Sequence, residues 1–329
     1  MTNVRAYSLC GVPIRVECQT ARQDSDIRLL WQRLFFLREK TSSGRPASVF
    51  LHLQSTGQAP GRPWNGDVVF ESSALRVLKT EDGFRLECAS SALDLQLGRS
   101  RGAGILDATF WETPVPHQRD FFLLAFLMLL RRHGMYGLHA SAATIDGTGC
   151  LIVGPSGCGK TTLTLALLRQ GWRYLSDDAL LLRAGSRGVE ALAFRRGFSC
   201  TPDTAAHFPE LGLSGGRRAG SNDGKAFVDI EHIYPGKLAP CCRPRVVVFP
   251  KVVTQPRSQL VPVTQTSALT GLIQQSPGIL TDPPSVAQQM EVLRLLVEGA
   301  RSYQLLLGQD ALHESAAVSG LLRRAAPFD

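Results

Sequence analysis

The sequence predicts an α/β domain over residues 117–329, built around a phosphate-binding loop, and a strand-rich α+β region over 1–116. Three observations carry this. From about residue 117, apolar strands alternate with helical runs, the pattern of an α/β sheet. Between one such strand and the next helix stands "GPSGCGKTT" (154–162). Before residue 117 the chain breaks into short alternating runs with one helical stretch among them.

Composition sets the class. With 44% hydrophobic and 19% charged residues in 329, the chain is globular rather than disordered. A formal charge of +8 favours acidic partners. The arginines, however, are scattered in pairs such as Arg131–Arg132 and Arg323–Arg324. No basic run interleaved with aromatics appears, so no nucleic-acid face is expected. None of the eight cysteines makes a C-x-x-C pair or a zinc-finger spacing. The first residues lack an apolar signal core. The run "FFLLAFLMLL" (121–130) falls short of the roughly 20 residues of a membrane span. A cytoplasmic chain with reduced thiols and no membrane association is the expectation.

Along the first region, "VPIRVEC" alternates as a strand, and 24–40 ("DSDIRLLWQRLFFLREK") has helical spacing with an acidic start. "SVFLHLQ", "GDVVFES", "SALRVLKT", "GFRLECAS" and "ALDLQLG" follow as strands, with "TEDGF" as a turn. No motif here carries recognisable chemistry, and by elimination the region serves substrate recognition or assembly. In the second region, 118–134 is a helix apolar nearly all round and stopped by Gly134. "GLHASAATIDGTGCLIVG" reads as two strands turned at "DGTG". "KTTLTLALLRQG" is a helix, "WRYLSDDALLLR" a strand containing two carboxylates, and 243–252 a buried strand. "VAQQMEVLRLLVEGA" is a helix, "RSYQLLLG" a strand, and "DALHESAAVSGLLRR" the closing helix. "LSGGRRAGSNDG" (213–224) is a Gly/Ser-rich loop.

Gly154, Pro155, Ser156, Gly157, Cys158, Gly159, Lys160 and Thr161 satisfy G-x-x-x-x-G-K-[ST], and Thr162 continues into the helix. Glycines let successive backbone N–H groups turn inward on phosphate oxygens, and the helix adds its positive end. Lys160 is placed to reach the terminal phosphates of ATP, and the Thr161 hydroxyl to ligate Mg²⁺. The same loop occurs in transporter-type ATP cassettes, and "LSGG" (213–216) imitates their signature. It comes only about fifty residues after the loop, with no following strand ending in Asp-Glu, and is read as coincidence. GTPase N-K-x-D motifs are absent.

The carboxylates Asp177 and Asp178 come early, at the end of "WRYLSDD". A strand following the loop's helix can lie beside the strand that enters the loop, with its polar end over the phosphates. One acid would hold Mg²⁺ and the other accept a hydroxyl proton, and alternation along a strand lets only one face the γ-phosphate. His139 stands upstream.

From His139 to Asp178 the sequence resembles, without gaps, the catalytic core of the HPr kinase/phosphorylase family, whose nucleotide site is similar to that of phosphoenolpyruvate carboxykinase. The resemblance implies a kinase using ATP and Mg²⁺, with Asp178 as proton acceptor and Lys160 on the phosphates. It further implies Thr161 toward the metal and places His139 at the family's His; beside it, Asp177 is expected toward the metal and His139 to orient or stabilise the transferred group. The family's Glu-x-Arg-Gly-x-Gly motif matches here at Arg196 and Gly197, while Phe194 replaces the Glu and Ser199 the second Gly. Lys225, Arg243 and Arg245 are candidates for a later phosphate-handling residue. The layout resembles more that of the HPr kinase-like proteins found with peptide-modifying gene clusters, which implies a peptide or small-protein substrate with a Ser or Thr acceptor. The family's hexamers leave a homo-oligomer open. A kinase of a small-molecule hydroxyl, or an ATP-binding module with little turnover, are the alternatives.

Overall fold

The computed structural model describes residues 2–40, 46–55, 66–81, 83–213, 224–276 and 282–325. It is a mixed α/β protein with two nine-stranded sheets and a two-stranded ribbon. The chain divides into two compact units, Met1–Met135 and Tyr136–Asp329. Among the described residues no helix is long and apolar enough to cross a membrane.

In the first unit β1 (Asn3–Leu9) and β2 (Val12–Cys18) form a hairpin. Helix α1 (Ala21–Leu34) follows, its start fixed by the Thr20 hydroxyl accepting the Gln23 N–H. The helix expected over 24–40 therefore begins earlier and stops at Leu34. Phe35 is extended, and the next residues form β3 (Leu37–Lys40) on the edge of β1. There the edge strand gives their N–H and C=O groups partners outside a helix. Six more strands complete the sheet: β4 (Val49–Gln54), β5 (Asp67–Glu71), β6 (Arg76–Lys79), β7 (Gly83–Cys88), β8 (Ser91–Gln96) and β9 (Arg101–Ile105). Their order is β3-β1-β2-β4-β9-β8-β7-β6-β5. Of the "TEDGF" turn, Asp82 lies outside the described residues.

Two helices, α2 (Ala108–Glu112) and α3 (Val115–Arg131), close this unit. Trp31, Phe35, Phe110, Phe121, Phe122 and Phe126 are fully buried together. The Trp31 ring meets Phe122 and Phe126 edge-on at 5.1 and 5.0 Å, contacts that add to the gain from burial. This cluster binds α3 to the first unit. A boundary at 116/117 would cut the helix away from its packing partners, and the compact units divide after Met135 instead.

The second sheet starts with β10 (Met135–Leu138), β11 (Ala140–Ile145) and β12 (Thr148–Val153). The last two form a hairpin turned at Asp146 and Gly147, both left-handed at φ 52° and 81°, which a two-residue turn of this hand requires. After the glycine loop come α4 (Lys160–Arg169) and β13 (Arg173–Ser176). Then follow β14 (Leu180–Gly185), β15 (Gly188–Ala193), β16 (Phe198–Cys200), α5 (Pro202–His207), β17 (Ala226–Val228) and α6 (Ile230–Ile233). The remainder is β18 (Cys241–Val252), β19 (Gln259–Pro262), α7 (Gln265–Gln274), α8 (Pro283–Gly299), β20 (Arg301–Leu307), α9 (Asp310–His313) and α10 (Ser315–Ala325). The main path is β10-β14-β15-β18-β12-β11-β13, with β20 also on β18 and β19 on β20. Cys150, Ile152, Leu163, Leu167, Trp172, Val246, Val248, Leu305 and Leu322 share one buried core.

Three expectations change here. "WRYLSDDALLLR" is two strands, because the chain bends at Asp177 and Asp178 between β13 and β14. Strand β13 does not lie beside β12. The edges of β12 are taken by its hairpin partner β11 and by the parallel β18, so β13 pairs with β11. The closing helix is broken at Glu314 into α9 and α10.

Candidate functional site

The hairpin and β13 bring one end of the sheet to a focus. Ala140 opposes Val153 and Ala142 opposes Ser176, so β11 begins where β12 and β13 end. His139, the glycine loop and both aspartates therefore gather at this edge.

The loop runs from Gly154 into α4. Gly157 and Gly159 adopt φ of 85° and 100°, a region that a side chain makes costly. A Cβ on Gly159 would also sit 3.0 Å from Leu307 Cδ1. Helix α4 starts with no capping side chain, so its first N–H groups and its positive end open on the loop. Lys160 is buried, and its Nζ donates to Gly154 O at 2.7 Å and Pro155 O at 3.0 Å. Thr162 Oγ1 lies 3.1 Å from Thr204 Oγ1. Burial pushes the Cys158 thiol up from its ordinary range, so it is a packing group and not a thiolate.

Asp177 and Asp178 have separate surroundings. Asp177 is fully buried. Its carboxylate accepts from Ser141 Oγ at 2.7 Å and Ser199 N–H at 3.3 Å, and lies 3.1 and 3.2 Å from Thr161 Oγ1. Burial, with the neighbouring Asp178 charge, raises its pKa against the pull of Arg195 and Ser141. Asp178 is left-handed at φ 64°, which aspartate tolerates better than most residues. Its Oδ1 lies 3.5 Å from His139 Nε2 and 3.8 Å from Lys160 Nζ, and its Oδ2 3.4 Å from Arg195 Nη1. Burial alone would raise its pKa. The hydrogen bond to His139 and the charges of Arg195 and Lys160 outweigh that and hold it well below the usual carboxylate range. Alternation along a strand does not govern the pair, since both residues lie past the end of β13.

The structure brings together Gly154 to Thr161, His139, Asp177 and Asp178, and adds Lys225, whose Nζ donates to Ser156 Oγ at 2.9 Å. It does not bring Arg243 or Arg245. They stand at the start of β18, where Arg243 opposes Thr148 at the far end of β12. Phe194 is fully buried in the position where the resemblance expects Glu. Of "LSGG", only Leu213 lies within the described residues.

Sequence reasoning missed Ser141 and Arg195. Arg195 is buried, with Nη2 donating to Ser199 Oγ at 2.7 Å. Its own N–H donates to Ser176 Oγ at 3.0 Å, which ties the segment before β16 to the end of β13. The only advance signal was its place in "FRRGFS", one residue before the matched Arg196.

No protein-family model matches the chain. No curated protein matches it. Among solved structures, the Hpr(Ser) kinase/phosphatase from Coxiella burnetii matches at 15% identity over 57% of this chain and 94% of its own, with a TM-score of 0.30. A TM-score that low carries no residue role from that protein to this one.

Proposed function

We propose that the chain is a Mg²⁺-ATP-dependent kinase that transfers a phosphoryl group to a Ser or Thr hydroxyl of a peptide or small protein. One observation carries this reading: an ionised Asp178 within 3.8 Å of Lys160 Nζ and 3.5 Å of His139 Nε2, at the mouth of a glycine loop. A loop that only grips a nucleotide needs no carboxylate held there.

The donor set fits the metal. The Thr161 hydroxyl and the Asp177 carboxylate are adjacent hard oxygens. Among the described residues no cluster of three His, Cys, Asp or Glu forms a separate metal centre. Mg²⁺ needs only one or two protein oxygens besides water and phosphate. When bound, Mg²⁺-ATP supplies the transferable phosphoryl group and a cation that neutralises its oxygens.

The remaining work falls to the chain. The open end of α4 and the loop N–H groups hold the anion, and Lys160 adds its ammonium. Asp178 accepts the proton of the attacking hydroxyl, while His139 orients it or stabilises the transferred group. Arg195 holds the other Asp178 oxygen. As Lys160 turns to phosphate, Asp178 loses one of the cations that depress its basicity. Lys225 adds positive charge at the loop's rim.

The test is transfer itself. The full chain with Mg²⁺-ATP should add one phosphate to a Ser- or Thr-containing peptide, read by intact mass. A panel of small hydroxyl compounds with labelled ATP separates a metabolite kinase. Buried Phe194 favours a second reading, a nucleotide-binding module with little turnover, which predicts ATP binding and no transfer to any acceptor.

A further inference from the structure

A cavity of about 1010 Å³ opens at the end of the second sheet opposite the glycine loop. It is lined by the β11–β12 turn, the first residues of β18 and β20, the start of α7 and the end of α8. The six residues of β12 separate it from the loop by about 17 Å of strand. It is therefore no part of the site described above.

The three carboxylates of this cavity are not all free to meet its three arginines. Arg243, Arg245 and Arg301 line it, with Asp146, Glu190 and Glu298. Glu190 is already committed to Arg183 at 2.6 Å, and Glu298 to Arg294. Arg301 donates to Ala325 O at 3.2 Å. The Arg243 and Arg245 side chains make no hydrogen bond or ion pair among the described residues. Two guanidinium groups without an ion-pair partner and the N-terminal end of a ten-residue helix, α7, thus converge on one open cavity. Guanidinium forks match the oxygens of phosphate.

We propose that this cavity is a second, separate binding site for a small phosphorylated anion. Its phosphate sits between Arg243 and Arg245. The volume is at the upper end for small-molecule sites. The concave shape favours a compact ligand over an extended acidic peptide.

Cys241 lines the cavity and is exposed, so it reports occupancy locally. The half-buried Cys10, in the first unit, serves as the control. Alkylation of both by N-ethylmaleimide, a neutral reagent, is followed by peptide mass on the full chain with pyrophosphate added. At about ten times its dissociation constant, pyrophosphate should slow Cys241 about tenfold and leave Cys10 unchanged. Protection should vanish in the Arg243→Gln/Arg245→Gln chain. It should persist in Lys160→Ala, which disables the glycine loop. Unprotected Cys241 in the wild-type chain overturns the proposal, as does protection that survives loss of both arginines. Hexaglutamate protecting at lower concentration than pyrophosphate overturns the assignment to a small anion.

Discussion

The Thr161 hydroxyl and the Asp177 carboxylate are locked together, Oγ1 lying 3.1 and 3.2 Å from the two carboxylate oxygens. One side chain opens α4 and the other follows β13, so their meeting fixes the glycine loop against the strand end. Replacing Thr161 by Val keeps the shape and removes the oxygen. Affinity for Mg²⁺-ATP should fall about tenfold or more, while metal-free ATP loses far less. Thr161→Ser should restore it. Calorimetric titration with and without Mg²⁺ makes the comparison, and an equal loss for both forms would count against a metal role.

Ser141 Oγ donates to the same carboxylate at 2.7 Å, and both groups are fully buried. Ser141→Ala leaves a buried carboxylate with one donor fewer, at a cost of about 1–3 kcal/mol in unfolding free energy. Urea unfolding should show the loss, and Mg²⁺-ATP affinity should drop with it. A stable variant with unchanged affinity would mean that Ser141 does not position Asp177.

Arg169 near the end of α4 clasps Glu210 through two contacts of 2.7 Å and stacks over Phe208 at 4.2 Å. The hydrogen bonds from Arg169 lower the Glu210 pKa from 4.5 to about 2. A carboxylate depressed in the folded state stabilises it above the unfolded pKa and loses that contribution as pH falls through the folded value. Glu210→Gln should therefore unfold at lower urea than wild type at pH 7. The gap should close as pH is lowered from 4.5 toward 2. A gap independent of pH would show that the effect is packing and not charge.

Much of this was legible in the sequence because it is local. The strand–loop–helix around Gly154, the Asp146–Gly147 turn and the short strands of the first unit follow from periodicity and turn residues. What was not legible depends on distant partners. Residues 37–40 have a helical pattern, but the edge of β1 claims them. The bend at Asp177 and Asp178 arises where β13 runs out and β14 pairs elsewhere with β15. Helix α3 belongs with Trp31, about ninety positions back in the chain, a contact no periodicity announces. In the site, the glycines, Lys160 and the two aspartates are adjacent in sequence or nearly so. Arg195 and Lys225 arrive by way of β16 and β17, whose pairing only the structure reveals. Arg243 and Arg245 looked equivalent to Lys225 on the page and lie at the opposite end of β12.

The central claim is that Asp178 is the proton acceptor of a phosphoryl transfer. Asp178→Asn keeps the side chain's size beside Lys160, His139 and Arg195 and removes its basicity. The direct measurement pairs ATP affinity with the single-turnover rate of phosphate transfer to a peptide hydroxyl, for wild type and this variant. The account predicts affinity within a few-fold of wild type and transfer slowed by about 10²-fold or more. Transfer at the wild-type rate by Asp178→Asn would contradict it.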